Sequence, residues 1–195
     1  MKNLLKSVYV RIFRLFTISK FKKFGKSSYI GAHANIRYGK KMTIGNCVSI
    51  GRFCRMQCYK EFAGEKLNPE IVIQDGCYIS DNFTVLSAAR VELEKDVLIA
   101  SNVTICSENH SINPEVATPY KNQPLTFASV MVGEGTWIGQ NVVIMPGVRI
   151  GKKCVIGASA VVTKDVDDYC MVVGVPAKVI KKYDFDIGNW TKINR

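Results

Sequence analysis

The chain has 195 residues, near the size of one domain, and is 47% hydrophobic and 22% charged, which excludes intrinsic disorder and supplies a core. A net charge of +11 asks for an anionic partner, but no stretch interleaves aromatic and basic residues like a nucleic-acid module, so no nucleic acid is expected. Seven scattered cysteines without a CxxC pair argue against a disulfide framework in a chain that can bury its own core, and point to a reducing cytoplasm.

Residues 1–26 hold eight Lys or Arg and no acid. Leu4, Leu5, Val8, Ile12, Leu15 and Phe16 fall on one side of a helix. Lys6, Arg11 and Arg14 interrupt the apolar run. The segment is therefore neither a membrane span nor a signal peptide. Two readings remain for this helix: it caps the open end of a repeat structure, or it rests on an anionic leaflet through its basic side, making the protein peripheral to a membrane.

From Ile30 an aliphatic residue recurs every sixth position: Ile30 and Ile36, then Ile44, Ile50 and Met56 after a two-residue slip. One hexad plus an 11-residue insertion separates Met56 from Ile73, the region of YKEFAGEKLNPE. Ile73, Ile79 and Val85 follow, then Leu93, Ile99 and Ile105. A second insertion of 21 residues carries Pro114, Pro119, Pro124 and His110. Residues 132–166 then give six consecutive hexads, led by Val132, Ile138, Ile144, Ile150, Ile156 and Val162. Four residues after each comes a small or β-branched residue: Thr136, Val142, Val148, Cys154, Ala160 and Val166. Cys54 and Cys77 occupy the same inward position, as small hydrophobes.

A helix needs a period near 3.6 and a half-buried strand a period of 2, so period six fits neither alone. It fits a hexapeptide parallel β-helix, in which three hexads close one triangular coil. The expected fold is an all-β solenoid of about six coils, some 25–30 Å tall at ~4.8 Å per coil. Glycine after an inward aliphatic serves where a Cβ would crowd or where φ must be positive. The chain divides into a basic helix over 1–26, a solenoid over 27–176 with a protruding loop at 107–129, and a C-terminal extension over 177–195.

Three motifs then occur in order: DVLIASNVTICSENHSI, TWIGQNVVIMPGVRIGKKCVIGASAVVTKD and VVGVPAKVIKK. Over roughly residues 75–181 they resemble the hexapeptide-repeat acyltransferases, most of all the galactoside and maltose O-acetyltransferases and the polysaccharide O-acetyltransferases. The resemblance implies a left-handed solenoid, acetyl-CoA as cosubstrate, a homotrimer and an active site shared between subunits. It puts the catalytic base on His110, an acceptor-positioning role on Asn82, and oxyanion donation on the backbone at Gln140. It assigns coenzyme contacts to Ala158, Thr163, Lys164, Lys178 and Lys181, and Trp137 stands where it could pack on the pantetheine arm. Asn82 also reads as one rung of an asparagine ladder at a solenoid corner. Lys178 and Lys181 replace the arginines of the galactoside enzymes, and a lysine still holds a phosphate as a point charge. The helical acceptor-binding region of the sugar enzymes is absent, which argues against free galactosides and maltose.

The chemistry follows from residue types. A hydroxyl must become nucleophilic, and a histidine, with an unperturbed pKa of about 6.5, suits that task. No metal is required. A γ-type carbonic anhydrase would need three histidine ligands on zinc, and this chain has two histidines, His33 and His110. His33 reads as an exposed corner residue. The expected activity is acetyl-CoA-dependent O-acetylation of a sugar hydroxyl in surface polysaccharide or lipid-linked saccharide synthesis. The alternatives are N-acetylation of an amino sugar, acetylation of a small amino acid, and a non-catalytic scaffold.

Overall fold

The protein, in a computed structural model describing residues 18–193, is a left-handed parallel β-helix. Of the segment expected to be helical, residues 1–17 lie outside the described residues. Three flat sheets run the length of the prism. The first has six strands, from Lys23–Phe24 to Arg149–Ile150, and the third has six, from Asn35–Arg37 to Val161–Val162. The second has seven parallel strands, from Tyr29–Ile30 to Cys170–Val173. At ~4.8 Å per coil, six coils and part of a seventh give a prism about 30 Å tall.

Each hexad lead is stacked on the one below it. Phe24, Ile44, Ile73, Leu93, Val132 and Ile150 are in register on the first face. Ile36, Met56, Val85, Ile105, Ile144 and Val162 are in register on the third. Most of these side chains are entirely buried, and burial of this kind contributes ~1.5–3 kcal/mol per large aliphatic. The parallel stack opens at Lys23–Phe24, so the solenoid starts inside the 1–26 segment and not at 27. The period-six pattern reaches back one hexad to Phe24, where an aromatic stands in for the aliphatic. Phe21 is buried and packs on Phe24, with ring centroids 5.3 Å apart, across the end of the first coil.

The corners explain the small residues. Between the second and third faces, His33, Phe53, Asn82, Asn102, Asn141 and Ser159 all have left-handed φ near 60°. The N–H of each, beyond the first, donates to the coil below, as from Asn82 to the Arg52 carbonyl at 2.9 Å. His33 stacks on Phe53 at 4.9 Å in this column. The glycines after the inward aliphatics are needed for space rather than for φ. A Cβ on Gly139 would meet the Ala158 nitrogen at 2.7 Å and the Ile156 oxygen at 2.8 Å. Inward polar groups are satisfied: the Thr136 hydroxyl donates to the Gly151 carbonyl at 2.8 Å and accepts from the Cys154 N–H at 3.0 Å.

The third corner, from the third face back to the first, is where regularity stops. The first insertion leaves there as a hairpin, Glu61–Phe62 paired with Glu65–Lys66. The second leaves there two coils higher, Glu108–His110 paired antiparallel with Leu125–Phe127. Beyond residue 176 the chain reverses. Lys178–Asp184 and Asn189–Lys192 extend the second sheet as an antiparallel hairpin, packed by the edge-on rings of Tyr169, Phe185, Tyr183 and Trp190.

Candidate active site

His110 ends the outgoing strand of the second hairpin. Two devices fix that strand. At its base the buried Ser107 hydroxyl accepts from the N–H groups of Ala88 and Ala89, at 3.0 and 3.1 Å. Near the tip the Gln123 amide, buried although the loop around it is exposed, donates to the carbonyls of Asn113 and Thr118 at 3.1 and 2.9 Å. The tip projects Ile112, Val116 and Tyr120 into solvent. His110 is itself exposed. Among the described residues its ring contact is edge-on with Phe62 of the first hairpin, at 5.3 Å between centroids. The two insertions therefore meet at the histidine.

Glu108 lies two residues before His110 on the same strand, so the two side chains share one side of it. Burial pushes the Glu108 carboxyl above the usual carboxylate range, and the charge of His110 partly offsets this. Tyr59 is pushed up by burial first and then by Glu108. The Tyr59 hydroxyl lies 3.4 Å from the Gln57 amide oxygen, which also accepts from Arg55 at 3.1 Å. A polar bed of Arg55, Gln57, Tyr59 and Glu108 thus lies at the end of the third face beside the histidine. Glu108, Tyr59 and Phe62 went unnoticed in sequence. Alternation along a strand could have found Glu108. Counting hexads could have found the meeting of the loops, since both insertions follow the third hexad of a coil.

The other expected site residues lie elsewhere on the prism. Asn82, Gln140 and Ala158 share the corner between the second and third faces, at three heights. Asn82 donates from its amide nitrogen to the Asn102 amide oxygen at 3.0 Å, so it does form a rung of a ladder. The Gln140 carbonyl accepts from Ser159 at 2.7 Å, whereas its N–H is not part of that ladder. Trp137 is 50% exposed on the outside of the second face. Its column continues in register through Val155 and Met171 to Lys181, with Lys178 on the same strand. Thr163 and Lys164 sit beside the third corner, two coils above the departure of the His110 loop. Within one chain the third face separates His110 from Asn82, Gln140 and Ala158.

The buried cysteines are poor nucleophiles. Burial pushes Cys54, Cys58 and Cys77 up to about 11, and it raises Cys106, the thiol closest in sequence to His110.

Comparison with known proteins places the fold and chemistry together. A family model described as bacterial transferase hexapeptide (six repeats) matches residues 129–164. The WbbJ protein of Escherichia coli (strain K12), named for lipopolysaccharide biosynthesis O-acetyl transfer, is 30% identical over 172 residues, 84% of this chain and 80% of that one. A galactoside O-acetyltransferase of Lactococcus lactis subsp. lactis (strain IL1403) is 31% identical over 162 residues, 82% of this chain and 73% of that one. The structure of AntD, an N-acyltransferase from Bacillus cereus in complex with dTDP and 3-hydroxybutyryl-CoA, superposes with a TM-score of 0.73 at 23% identity, covering 89% of each chain, and supports the fold alone. Through its hexads, its corner geometry and two relatives aligned over most of their length, the chain belongs to the hexapeptide-repeat acetyltransferase family.

Proposed function

We propose that the protein transfers an acetyl group from acetyl-CoA to a sugar hydroxyl, in the synthesis of a surface polysaccharide or lipid-linked saccharide, with His110 as general base. The observation that carries this reading is the placement of His110. It stands clear of the prism on a braced hairpin, with a raised-pKa carboxylate beside it on the same strand and an aromatic edge against its ring. WbbJ, the relative matched over 80% of its length, is named for lipopolysaccharide O-acetylation, which favours a saccharide of the envelope over a free disaccharide.

His110 takes the hydroxyl proton as the sugar oxygen attacks the thioester carbonyl carbon. The N–H of Gln140, aimed at the developing oxyanion, stabilises it. The carbon–sulfur bond breaks and His110 returns the proton to the departing thiolate. Glu108 lies where it offsets the positive charge that His110 holds between the two transfers. Asn82 positions the acceptor. No enzyme thiol takes part, in keeping with the raised pKa of Cys106, the thiol closest in sequence to His110.

The outer surfaces of the prism fit a coenzyme. The Trp137 ring is open to a pantetheine arm, Lys178 and Lys181 supply point charges for its phosphates, and Thr163, Lys164 and the backbone of Ala158 complete the set. Because His110 and the Gln140 corner lie at opposite edges of the third face, the complete site forms between neighbouring copies in a homotrimer. Tyr29, Tyr78, Leu98 and Trp137 leave an exposed apolar stripe down the second face, which favours such packing. The test is His110→Ala. Turnover of acetyl-CoA with a screened saccharide should fall by at least ~100-fold, while calorimetric binding of acetyl-CoA stays as in the wild type. Retained turnover would remove His110 from the role of base.

A further inference from the structure

The positive charge of this protein is concentrated in the first third of its sequence. Residues 1–69 contain 15 Lys or Arg and 2 Glu, against 12 basic and 14 acidic residues in the remainder. A few of the described bases are neutralised by acidic partners. Lys22 and Arg90 pair with Glu70, Arg90 with Glu92, and Arg52 with Asp81. Four are not. Arg37, Lys41, Lys60 and Lys66 line a cleft of about 420 Å³ in the angle between the turn Gly39–Lys41 and the first hairpin. Among the described residues none of the four enters a salt bridge. The one carboxylate lining the cleft is Glu61.

The cleft also has a shape and a floor. The Arg37 guanidinium lies 5.4 Å from the ring centre of Tyr38 and 6.0 Å from that of Tyr59. The Lys60 ammonium lies 4.5 Å from the Tyr38 ring. Lys41 donates to the Asn68 side-chain oxygen at 3.1 Å. Aromatic faces thus hold two of the cations in place without neutralising them. Like charges gathered around one cavity repel, and an anion between them relieves that repulsion. A guanidinium beside several ammonium groups is the donor set that suits phosphate oxygens. The cavity has the volume of a small-molecule site. The same hairpin that walls the cleft carries Phe62, which touches His110, and Tyr59, which lines the cleft, is held next to Glu108.

We propose that this cleft binds a phosphate or diphosphate group of the acceptor, so that the substrate is a phosphorylated or diphosphate-linked saccharide rather than a neutral sugar. This rests on His110 as the base. The cleft is separate from the expected coenzyme surface, since Trp137, Lys178 and Lys181 lie in the fifth coil and above, whereas Arg37 and Lys41 lie at the first and second.

Calorimetry on the full chain tests the assignment with three probes: inorganic pyrophosphate, UDP-glucose, and vesicles of phosphatidylglycerol in phosphatidylcholine. Pyrophosphate and UDP-glucose should bind. The double variant Arg37→Ala/Lys60→Ala should weaken both by about tenfold or more, and Lys66→Glu should act in the same direction. His110→Ala should leave both unchanged, which separates failure of this site from failure of the catalytic reading. In turnover, the double variant should raise KM for the acceptor and not for acetyl-CoA. Four results would overturn the proposal: no binding of either soluble probe; binding indifferent to the variants; a raised KM for acetyl-CoA instead; or binding of anionic vesicles alone, which would make the cleft a membrane contact.

Discussion

Glu108 illustrates how one side chain at the site trades stability against chemistry. Burial raises its folded pKa above the unfolded value. A carboxyl raised in this way favours the folded state most below its unfolded pKa, and that advantage is lost as pH rises through the folded value. At neutral pH the ionised group is therefore a cost. Glu108→Gln removes the cost. In thermal melts between about pH 4 and pH 8, the variant should match or exceed the wild type at neutral pH, by less than ~1 kcal/mol because the site is partly open to solvent. The difference should vanish towards the acid end. Turnover should move the other way, falling by about tenfold or more, because His110 loses the charge that offsets its protonated form. A variant that is less stable yet fully active would show that Glu108 is structural.

At the scale of single elements, legibility divided along the hexads. The hexad leads from Ile30 to Val162 could be assigned from period six, because each of these side chains must enter the same narrow prism and the interval between turns is fixed. The small inward set, including Cys54, Cys77 and Cys154, followed for the same reason and is buried. The hairpins at 61–66 and 108–127 could not be read that way. Their pairing is set by contacts outside the repeat, such as the Gln123 amide and the Ser107 hydroxyl, which carry no period. Phe24 was missed because its aromatic ring broke the aliphatic pattern while keeping its spacing. The glycines needed a structure to choose between two reasons, and the choice is testable. Gly139→Ala puts a Cβ against backbone of the next coil at 2.7 and 2.8 Å, where nothing flexible can yield. It should cost about 1–3 kcal/mol, read as a lower urea midpoint with an unchanged slope. Equal stability would mean that the coils can part at no cost and that glycine serves some other need there.

At the scale of the whole molecule, one chain carries both halves of the proposed site but holds them apart. His110 projects from the third corner, while Asn82, Gln140 and Ala158 occupy the corner across the third face, and Trp137 and Lys181 face outward from the second. Strands of a rigid parallel prism cannot fold over to bring these surfaces together. In the proposed homotrimer they come together, because the proposal sets each third corner against a neighbour's second face and closed symmetry satisfies all three contacts at once. The projecting loop, with Ile112 79% exposed at its tip, extends away from its own prism in a way that suits such a contact. The consequence is complementation. His110→Ala removes the base and leaves the coenzyme surface intact. Ala158→Trp fills the corner where the coenzyme backbone contact is proposed and leaves the base intact. Each variant alone should be inactive as a trimer. Unfolded, mixed in equal amounts and refolded together, they should form trimers in which some interfaces join an intact base to an intact coenzyme surface, and turnover should return to a measurable fraction of the wild type. Mass measurement of the native assemblies establishes that mixing occurred. Mixed trimers without activity would place the whole site within one chain, and monomers that turn over acetyl-CoA would do the same.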